Sequence, residues 1–457
     1  MPTGSKAKQR NRPLGQTLSA RVRATDTLLK AWHAIRRNGE TSRSPKTRQA
    51  TKDFAADLPR QLRRIQERLR RAPYLFAPQI GATPQKAKGT GKRPLVIAPI
   101  EDRIVQRAIL DVLQGSNNLP GVREILLTPT SIGGIPGRGV GHAISLIDAA
   151  QQAGDANFVG GSDIAGFFTK INQVAVVDFI REQTEDDEFI DLIRRALKVE
   201  LANANEMEPD DLRLFPTDEA GVAQGCPLSA LAGNIALREF DAALNGRNIT
   251  CIRYIDDFII LGRRKEYVRK AFASAEAILT ALGMAIYQPD VRPDKAFLGS
   301  FNEQFDFVGY QLVPRLYPPA AKNREQVITS IRSELGEGRT HILRALNSDT
   351  GGKPLQLYAQ TLVAVDGILR AWSGSFSASR CLASAKEIDN TVNTLISDFI
   401  AFYRDKLEKK SQLEHRRALG VHVVEDDIRQ RLKQSSVDRQ LPRGRQCRNF
   451  FLDNAPP

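Results

Sequence analysis

The sequence predicts an α+β protein in which an antiparallel sheet is flanked by helices and followed by a helical C-terminal region. Residues 251–261 place an acidic pair between two apolar arms, a pattern typical of two strands joined by a tight turn. Between residues 157 and 314 short apolar strands alternate with amphipathic helices, whereas beyond residue 319 helical spacing prevails. A sheet-containing region and a separate helical region are therefore expected.

The first part of the chain, residues 1–72, is basic, and its apolar residues recur at helical spacing. We predict a pair of helices there, with basic faces that are either solvated or in contact with nucleic acid. Pro and Gly then become frequent and mark turns, and a helix follows over residues 101–113. Glycines between residues 133 and 141 predict a loop.

The middle of the chain alternates strands and helices. A short strand leads to Asp163, and an amphipathic helix over residues 268–282 stops at Gly283, a residue typical of helix ends. The remaining predictions are a helix over 228–244, a strand–turn–strand over 249–261, helices over 357–372 and 383–407, and a polar, Arg-rich segment from 411 onward.

Charge and cysteine usage narrow the class of partner and compartment. Lys and Arg number 66 against 52 Asp and Glu, and the resulting charge of +14 favours polyanionic partners, nucleic acid first. No apolar run is long enough to span a bilayer, so we expect no membrane partner. The four cysteines are scattered without a CxxC motif, which argues against a disulfide framework or zinc site and favours a reducing cytoplasm.

The acidic pair Asp256 and Asp257 is the strongest candidate for chemistry. Two carboxylates between apolar strands are costly unless cations neutralise them, and Mg²⁺ prefers such oxygen ligands. A charged surface hairpin is the plainer interpretation. Three other Asp-Asp pairs lie among polar neighbours and are expected to be solvated: Asp186–Asp187, Asp210–Asp211 and Asp426–Asp427.

Asp163, at the end of its predicted strand, is the second candidate. A lone Asp after a strand usually caps a turn or a helix. Two metal ions about 3.5–4 Å apart, however, need carboxylates from more than one segment, and Asp163 is suited to bridge both.

Several motifs in order resemble those of the reverse transcriptases, especially the bacterial branch related to group II introns. Three motifs carry the resemblance most clearly: D-I-x-x-F-F at 163–168, Q-G-x-P-L-S at 224–229 and Y-x-D-D at 254–257. Weaker matches are Arg93-Pro94-Leu95 with residues 102–106, the loop at 136–144, Lys295, and residues 307–310. The resemblance covers roughly residues 73 to 314.

The resemblance implies a right-hand polymerase fold with fingers and palm, the palm being an antiparallel sheet flanked by helices, plus an α-helical thumb and C-terminal region. The predicted division is a basic helical N-terminal extension (1–72), fingers (73–156), a palm with the catalytic motifs (157–318), a helical thumb-like domain (319–410) and a basic C-terminal tail (411–457).

The resemblance also implies roles for individual residues. Asp163, Asp256 and Asp257 would be catalytic and, with the Ile164 carbonyl, would hold two Mg²⁺ ions, for which Mn²⁺ is a substitute. The expected nucleotide-binding residues are Arg93, Phe168, Gln224, Gly225 and Lys295, with Lys92 and Arg103 as lesser candidates, and the expected primer grip is Phe307, Val308 and Gly309. Plainer interpretations are a core Phe168, a helix-leading turn at 224–225 and a surface Lys295.

The implied function is an RNA-directed DNA polymerase, a nucleotidyltransferase that uses an RNA template, a DNA or RNA primer and dNTPs. Retron elements, a zinc-type endonuclease, RNase H and integrase segments are not found. The sequence is therefore similar to stand-alone bacterial enzymes, many of them in antiviral defence; a structured non-coding RNA and an oligomeric state are compatible with this type. Alternatives are template-independent or protein-primed DNA synthesis, and a catalytically silent RNA-binding scaffold, against which all three acids are present.

Overall fold

A computed structural model describes residues 17–42, 44–71, 73–85, 91–216, 220–346 and 357–435. The chain divides into two units, Met1–Tyr317 and Pro318–Pro457. The start of the predicted N-terminal extension and the end of the predicted C-terminal tail lie outside the described residues. In the part of the chain that is described, no helix is long and apolar enough to cross a membrane.

The N-terminal stretch forms more helices than the predicted pair. They are α1 (Leu18–Val22), α2 (Thr25–Glu40), α3 (Pro45–Ala56) and α4 (Leu58–Arg70). Trp32 and Ile65 are almost fully buried in the core of the first unit, so the apolar stripes act as packing faces. The polar helix α3, whose weak periodicity hid it, begins where the Ser44 side chain accepts from the Thr47 N–H and Pro45 stands in the first turn.

A small antiparallel ribbon and three helices follow. They are β1 (Ile80–Ala82), β2 (Leu95–Ile97), α5 (Ile100–Gln114), α6 (Pro120–Leu127) and α7 (Val140–Gln152). The helix predicted over 101–113 is confirmed as α5, one residue longer at each end. The glycine-rich segment is a loop up to Gly139, after which α7 begins.

The central sheet is antiparallel and is built on a long middle strand. In chain order the elements are β3 (Phe158–Ala165), α8 (Phe167–Lys170), α9 (Gln173–Arg181), α10 (Asp187–Leu197), α11 (Pro209–Leu212), α12 (Ser229–Ala236), α13 (Arg238–Ala243), β4 (Ile249–Tyr254), β5 (Asp257–Gly262), α14 (Lys265–Ala281), β6 (Ala285–Ile286) and β7 (Ala296–Ser300). The strand order is β4-β5-β3-β6, and β7 also pairs with β3.

Two predictions for this region have contrasting outcomes. The single helix predicted over 228–244 is wrong, because Leu237 leaves helical geometry (φ −97°, ψ 12°) and separates α12 from α13. The stop at Gly283 is confirmed in position: α14 ends at Ala281, and Gly283 has a left-handed φ of 73°. A short hairpin of β8 (Asp306–Phe307) and β9 (Tyr310–Gln311) closes the unit's strands.

The second unit is helical in its described part. It contains α15 (Ala321–Leu346), α16 (Tyr358–Ser375), α17 (Leu382–Leu407), α18 (Gln412–Leu419) and α19 (Val424–Ser435). Its core includes Ile331, Ile342, Val392 and Phe399. Helix α15 lies in the region predicted to be helical, although its bounds were not predicted. Helices α18 and α19 were not predicted, and α18 begins at a capping box between Ser411 and Glu414. The finer division into fingers, palm, thumb and tail remains a prediction.

Candidate active site

The turn between β4 and β5 carries the acidic pair. Tyr254 pairs with Asp257, so Ile255 and Asp256 form a two-residue turn. Ile255 has φ 61°, whereas Asp256 does not have a positive φ, an arrangement like a type II′ turn, which favours Gly at this position. A β-branched residue there costs about 1–3 kcal/mol of backbone strain. The fold therefore holds the two carboxylates at this hairpin tip at an energetic cost.

The structure brings Asp163 beside this turn. Asp163 is the register partner of Asp257 across β3 and β5. The N–H of Ile164, whose side chain is buried, donates to the backbone oxygen of Asp256 at 3.0 Å. Three carboxylates from two distant segments thus lie side by side at one end of the sheet.

Mutual repulsion and burial act on these acids together. Burial first, and then the charge of Asp163, raise the pKa of Asp256 to about 6. Burial, followed by the charges of Asp256 and Asp163, raises the pKa of Asp257 to about 7. The positive charge of Lys295 lowers both pKa values and so opposes these shifts. Its Nζ donates to Asp163 Oδ2 at 2.6 Å. Negative charge at the turn is therefore unfavourable until a cation compensates it.

The donor set fits a hard divalent cation. Carboxylate oxygens are the ligands that Mg²⁺ takes, commonly one or two of them alongside substrate phosphates and water. Within the described ranges, no group of three or more His, Cys, Asp or Glu side chains is already arranged as a metal cage. The fit rests instead on the adjacency of the three acids and on the raised pKa values of Asp256 and Asp257, which a bound cation would lower.

A cleft connects the acids with the predicted primer grip. Its lining includes Asp163, Asp257, Lys295, Phe307 and Val308. Its volume is about 340 Å³. The β8–β9 turn has positive φ at both central residues, 43° at Val308 and 89° at Gly309, the geometry of a tight type I′ hairpin. This hairpin and Lys295 therefore share one cavity with the acidic turn. Phe297 and Phe305, stacked with ring centres 4.6 Å apart, also line it and were not predicted.

Backbone hydrogen bonds tie the predicted nucleotide-binding segments together. The Phe168 carbonyl accepts from the Val222 N–H at 2.6 Å, and the Gln224 carbonyl accepts from the Val96 N–H at 2.9 Å. Gly225 has φ 115°, and a Cβ there would lie 2.9 Å from the Val96 carbonyl oxygen, so Gly permits a close approach. Phe168 itself is partly buried against the core.

The predicted basic residues differ in their surroundings. Arg93 is exposed, just before β2. Lys92 donates from Nζ to both carboxylate oxygens of Asp211, at 2.6 and 2.7 Å, so it is engaged with protein. Arg103 is only partly exposed, and burial lowers the pKa of its guanidinium. The exposed Arg93 is therefore the most accessible of the three to an anionic ligand.

Arg253, which lies beside this site, was also missed by sequence reasoning. Arg253, on β4, has no exposed surface and pairs with the buried Asp241. The available signal was an arginine inside an otherwise apolar strand, where an unpaired charge is costly.

Comparison with known proteins identifies the family. A family model described as "Reverse transcriptase (RNA-dependent DNA polymerase)" matches residues 85–312, the span that holds all three acids, the Q-G-x-P-L-S segment and the cleft. The chain belongs to the reverse transcriptase family. The mixed helix-and-sheet architecture with its antiparallel sheet agrees with this membership.

Two curated relatives of this reverse transcriptase cover part of it. "Protein YkfC" of Escherichia coli is 31% identical over 268 residues, which is 50% of this chain and 65% of that protein. The "Uncharacterized 91 kDa protein in cob intron" of Schizosaccharomyces pombe is 29% identical over 178 residues, 39% of this chain and 20% of that protein. The chain thus spans less than two thirds of either relative.

Two solved structures are also similar. They are described as "Partial Cas6-RT-Cas1--Cas2 complex" and "Cas6-RT-Cas1--Cas2 complex"; each is 21% identical, covers 58% of this chain and has a TM-score of 0.33. The match covers 43% and 27% of those chains, respectively. At this TM-score the likeness supports no argument about function.

Proposed function

We propose that the protein is an RNA-directed DNA polymerase that adds dNTPs to a primer 3′-hydroxyl. One observation carries the proposal: Asp163 is the direct register partner of Asp257, and the intervening Asp256 is hydrogen-bonded through its backbone to Ile164. Surface acids do not require such an arrangement. Nucleotidyl transfer by a two-metal mechanism does, because carboxylates from separate segments must act on one reaction centre.

Asp163, Asp256 and Asp257, with the Ile164 carbonyl, would hold two Mg²⁺ ions, and Mn²⁺ would substitute. When bound, such ions supply activation of the primer hydroxyl and neutralisation of the triphosphate charge. The chain's own groups then position the reactants. Lys295, whose Nζ donates to Asp163, would donate a proton to the pyrophosphate that leaves. Burial lowers the pKa of Lys295, but the carboxylate of Asp163 outweighs this effect and raises it.

Binding roles are proposed for the remaining residues. Phe168 would exclude a ribose 2′-hydroxyl, the Gln224–Gly225 backbone would border the incoming base, and Arg93 would contact the triphosphate. The β8–β9 hairpin would hold the primer end, since Phe307 and Val308 share a cavity with Asp163 and Asp257. The use of a dedicated structured RNA and a role in antiviral defence remain predictions of the sequence resemblance.

The test is a primer-extension assay with purified protein, Mg²⁺ and labelled dNTPs. Parallel reactions contain a primed RNA template, the same sequence as DNA, or no added template. We expect extension on RNA that follows the template sequence. Extension without template would favour the template-independent or protein-primed alternative.

Absence of incorporation in every reaction, together with retained RNA binding, would favour the silent scaffold. Asp210→Asn is the matched control for the acid substitutions, because it makes the same chemical change at an exposed Asp that also belongs to an Asp-Asp pair.

A further inference from the structure

The buried side chain of Arg253 uses every donor it has. Its guanidinium carries five N–H groups. Nε and Nη2 donate to the two carboxylate oxygens of Asp241, Nη2 also donates to Ser131 Oγ at 2.8 Å, and Nη1 donates to Asn234 Oδ1 at 3.0 Å. The fifth bond runs from Nη1 to the backbone oxygen of Ile255 at 2.9 Å. Four of the acceptors lie in side chains of other segments, and the fifth is the strained turn.

The same network also holds the loop that contains Gly133 in contact with the turn at Ile255. Asn234 Nδ2 donates to the Gly133 carbonyl at 3.0 Å, and a Cβ at Gly133 would lie 2.5 Å from the Ile255 nitrogen. The loop also pairs with β4, since the Ile132 N–H donates to the Arg253 carbonyl at 2.8 Å. The backbone of Ile255 is therefore held at its oxygen by the hydrogen bond from Arg253 and contacted at its nitrogen by Gly133.

We propose that Arg253, with Asn234, is a positioning device that holds Ile255 in its left-handed conformation and so fixes the Asp256 and Asp257 carboxylates beside Asp163. This inference rests on the proposed function, because it concerns the placement of the proposed metal ligands. Neither Arg253 nor Asn234 touches the reacting atoms; both act through the backbone of the turn.

Physical chemistry favours positioning over stability alone. A buried ion pair contributes little to stability compared with apolar residues of similar volume, because both ions lose their hydration. What the guanidinium supplies and an apolar side chain does not is a donor aimed at the Ile255 carbonyl. A left-handed β-branched residue persists only where its surroundings determine its conformation, and such strain concentrates at functional sites.

The test combines a substitution in the positioning device with a second substitution that relieves the backbone strain at Ile255. Arg253→Lys keeps the charge, but its three donors sit on a single nitrogen and cannot reproduce the five bonds that the planar guanidinium makes from three nitrogens. We expect it to weaken Mn²⁺ binding, measured by isothermal titration, by about 10- to 100-fold. Primer extension should lose about 100-fold in kcat with little change in KM for dNTP. Adding Ile255→Gly should restore much of both, because Gly adopts positive φ without strain.

Three further variants separate the possible outcomes. Ser131→Ala removes one hydrogen bond from the same guanidinium but not the one to Ile255, so Mn²⁺ affinity should change by less than about threefold. Asn234→Ala keeps the Arg253–Asp241 pair and replaces Arg253→Lys in the test if that variant does not fold. Ile255→Gly should restore its Mn²⁺ affinity and primer extension in the same way. Asp256→Asn shows that the titrated Mn²⁺ occupies this site.

The inference is overturned if folded Arg253→Lys or Asn234→Ala binds Mn²⁺ like the wild type, or if Ile255→Gly rescues neither. Either result would leave the network as a purely structural feature. Because Mn²⁺ affinity is read without turnover, a wild-type protein that binds Mn²⁺ but extends no primer would refute the proposed polymerase activity. The positioning role would still be decided.

Discussion

Replacing Asp257 by Asn should make the metal-free protein more stable above neutral pH. The pKa of this carboxyl is raised from 3.8 to about 7 by burial and by the charges of Asp256 and Asp163. A group with a raised folded-state pKa contributes stability that is complete below its unfolded value and is lost as the pH rises through the folded value. The wild type therefore loses this contribution between about pH 4 and pH 7, and the Asn variant, which cannot ionise, retains it.

The size of the effect follows from the same pKa values. A difference of about three pH units at about 1.4 kcal/mol each gives an upper bound of about 4 kcal/mol. Partial exposure of the turn and the nearby Lys295 reduce this, so we expect about 2 kcal/mol, or about 4 °C in Tm. At pH 5 the carboxyl is neutral in the folded protein but ionised in the unfolded chain, so less than about half of the contribution has been lost and the difference should be correspondingly smaller.

The assay is thermal unfolding of the full chain at pH 8 and at pH 5, in EDTA and in Mg²⁺. Asp210→Asn is the control, because its carboxylate is exposed and its ion pair is with an exposed arginine, and the Tm of this variant should not change. Mg²⁺ at ten times its Kd should raise the wild-type stability by about 1.4 kcal/mol and the Asp257→Asn variant by less. A wild type that is as stable as Asp257→Asn at pH 8 in EDTA would refute the electrostatic reasoning.

Three further predictions concern the proposed nucleotide-binding residues. Phe168→Ala should raise the ratio of kcat/KM for rNTPs over dNTPs by about tenfold or more, because it removes the ring proposed to exclude the 2′-hydroxyl. An unchanged ratio in single-nucleotide kinetics would contradict this role of Phe168. Gly225→Ala should raise KM for dNTP about tenfold, since its Cβ would meet the Val96 carbonyl, whereas Gly246→Ala, with open space around it, should leave KM unaltered. Lys295→Ala should lower kcat about 100-fold with nucleic-acid affinity retained, and a normal kcat in rapid-quench experiments argues against proton donation by Lys295.

The position of the acidic turn could be predicted from sequence because its two arms are apolar and short. Residues 251–261 show this pattern without reference to the rest of the chain, and the hairpin of β4 and β5 agrees with it. No local pattern relates two strands that far apart, so the approach of Asp163 could be expected only from the need of a two-metal site for carboxylates of separate segments and from the resemblance to a family. The register of Asp163 with Asp257 is a tertiary fact.

What sequence reasoning missed depends on contacts between distant segments. Arg253 looks like an ordinary polar residue of a strand until Asp241, Asn234 and Ser131 are seen to surround it. The positive φ of Ile255 contradicts the preference of a β-branched residue, so no propensity rule could have predicted it. Helix α15 was within reach, however, because Val327, Ile331 and Leu335 recur every fourth residue and are buried.

The most direct test of the proposed metal-dependent polymerase site is single-nucleotide incorporation by Asp256→Asn beside the wild type, in Mg²⁺ on a primed RNA template. The substitution preserves the size of the side chain but removes the charge proposed to bind metal. We expect incorporation to fall by at least about 1000-fold, while RNA affinity stays near the wild-type value and thermal unfolding shows that the variant is folded. Incorporation at the wild-type rate by the folded variant would contradict the assignment of Asp163, Asp256 and Asp257 as the catalytic centre.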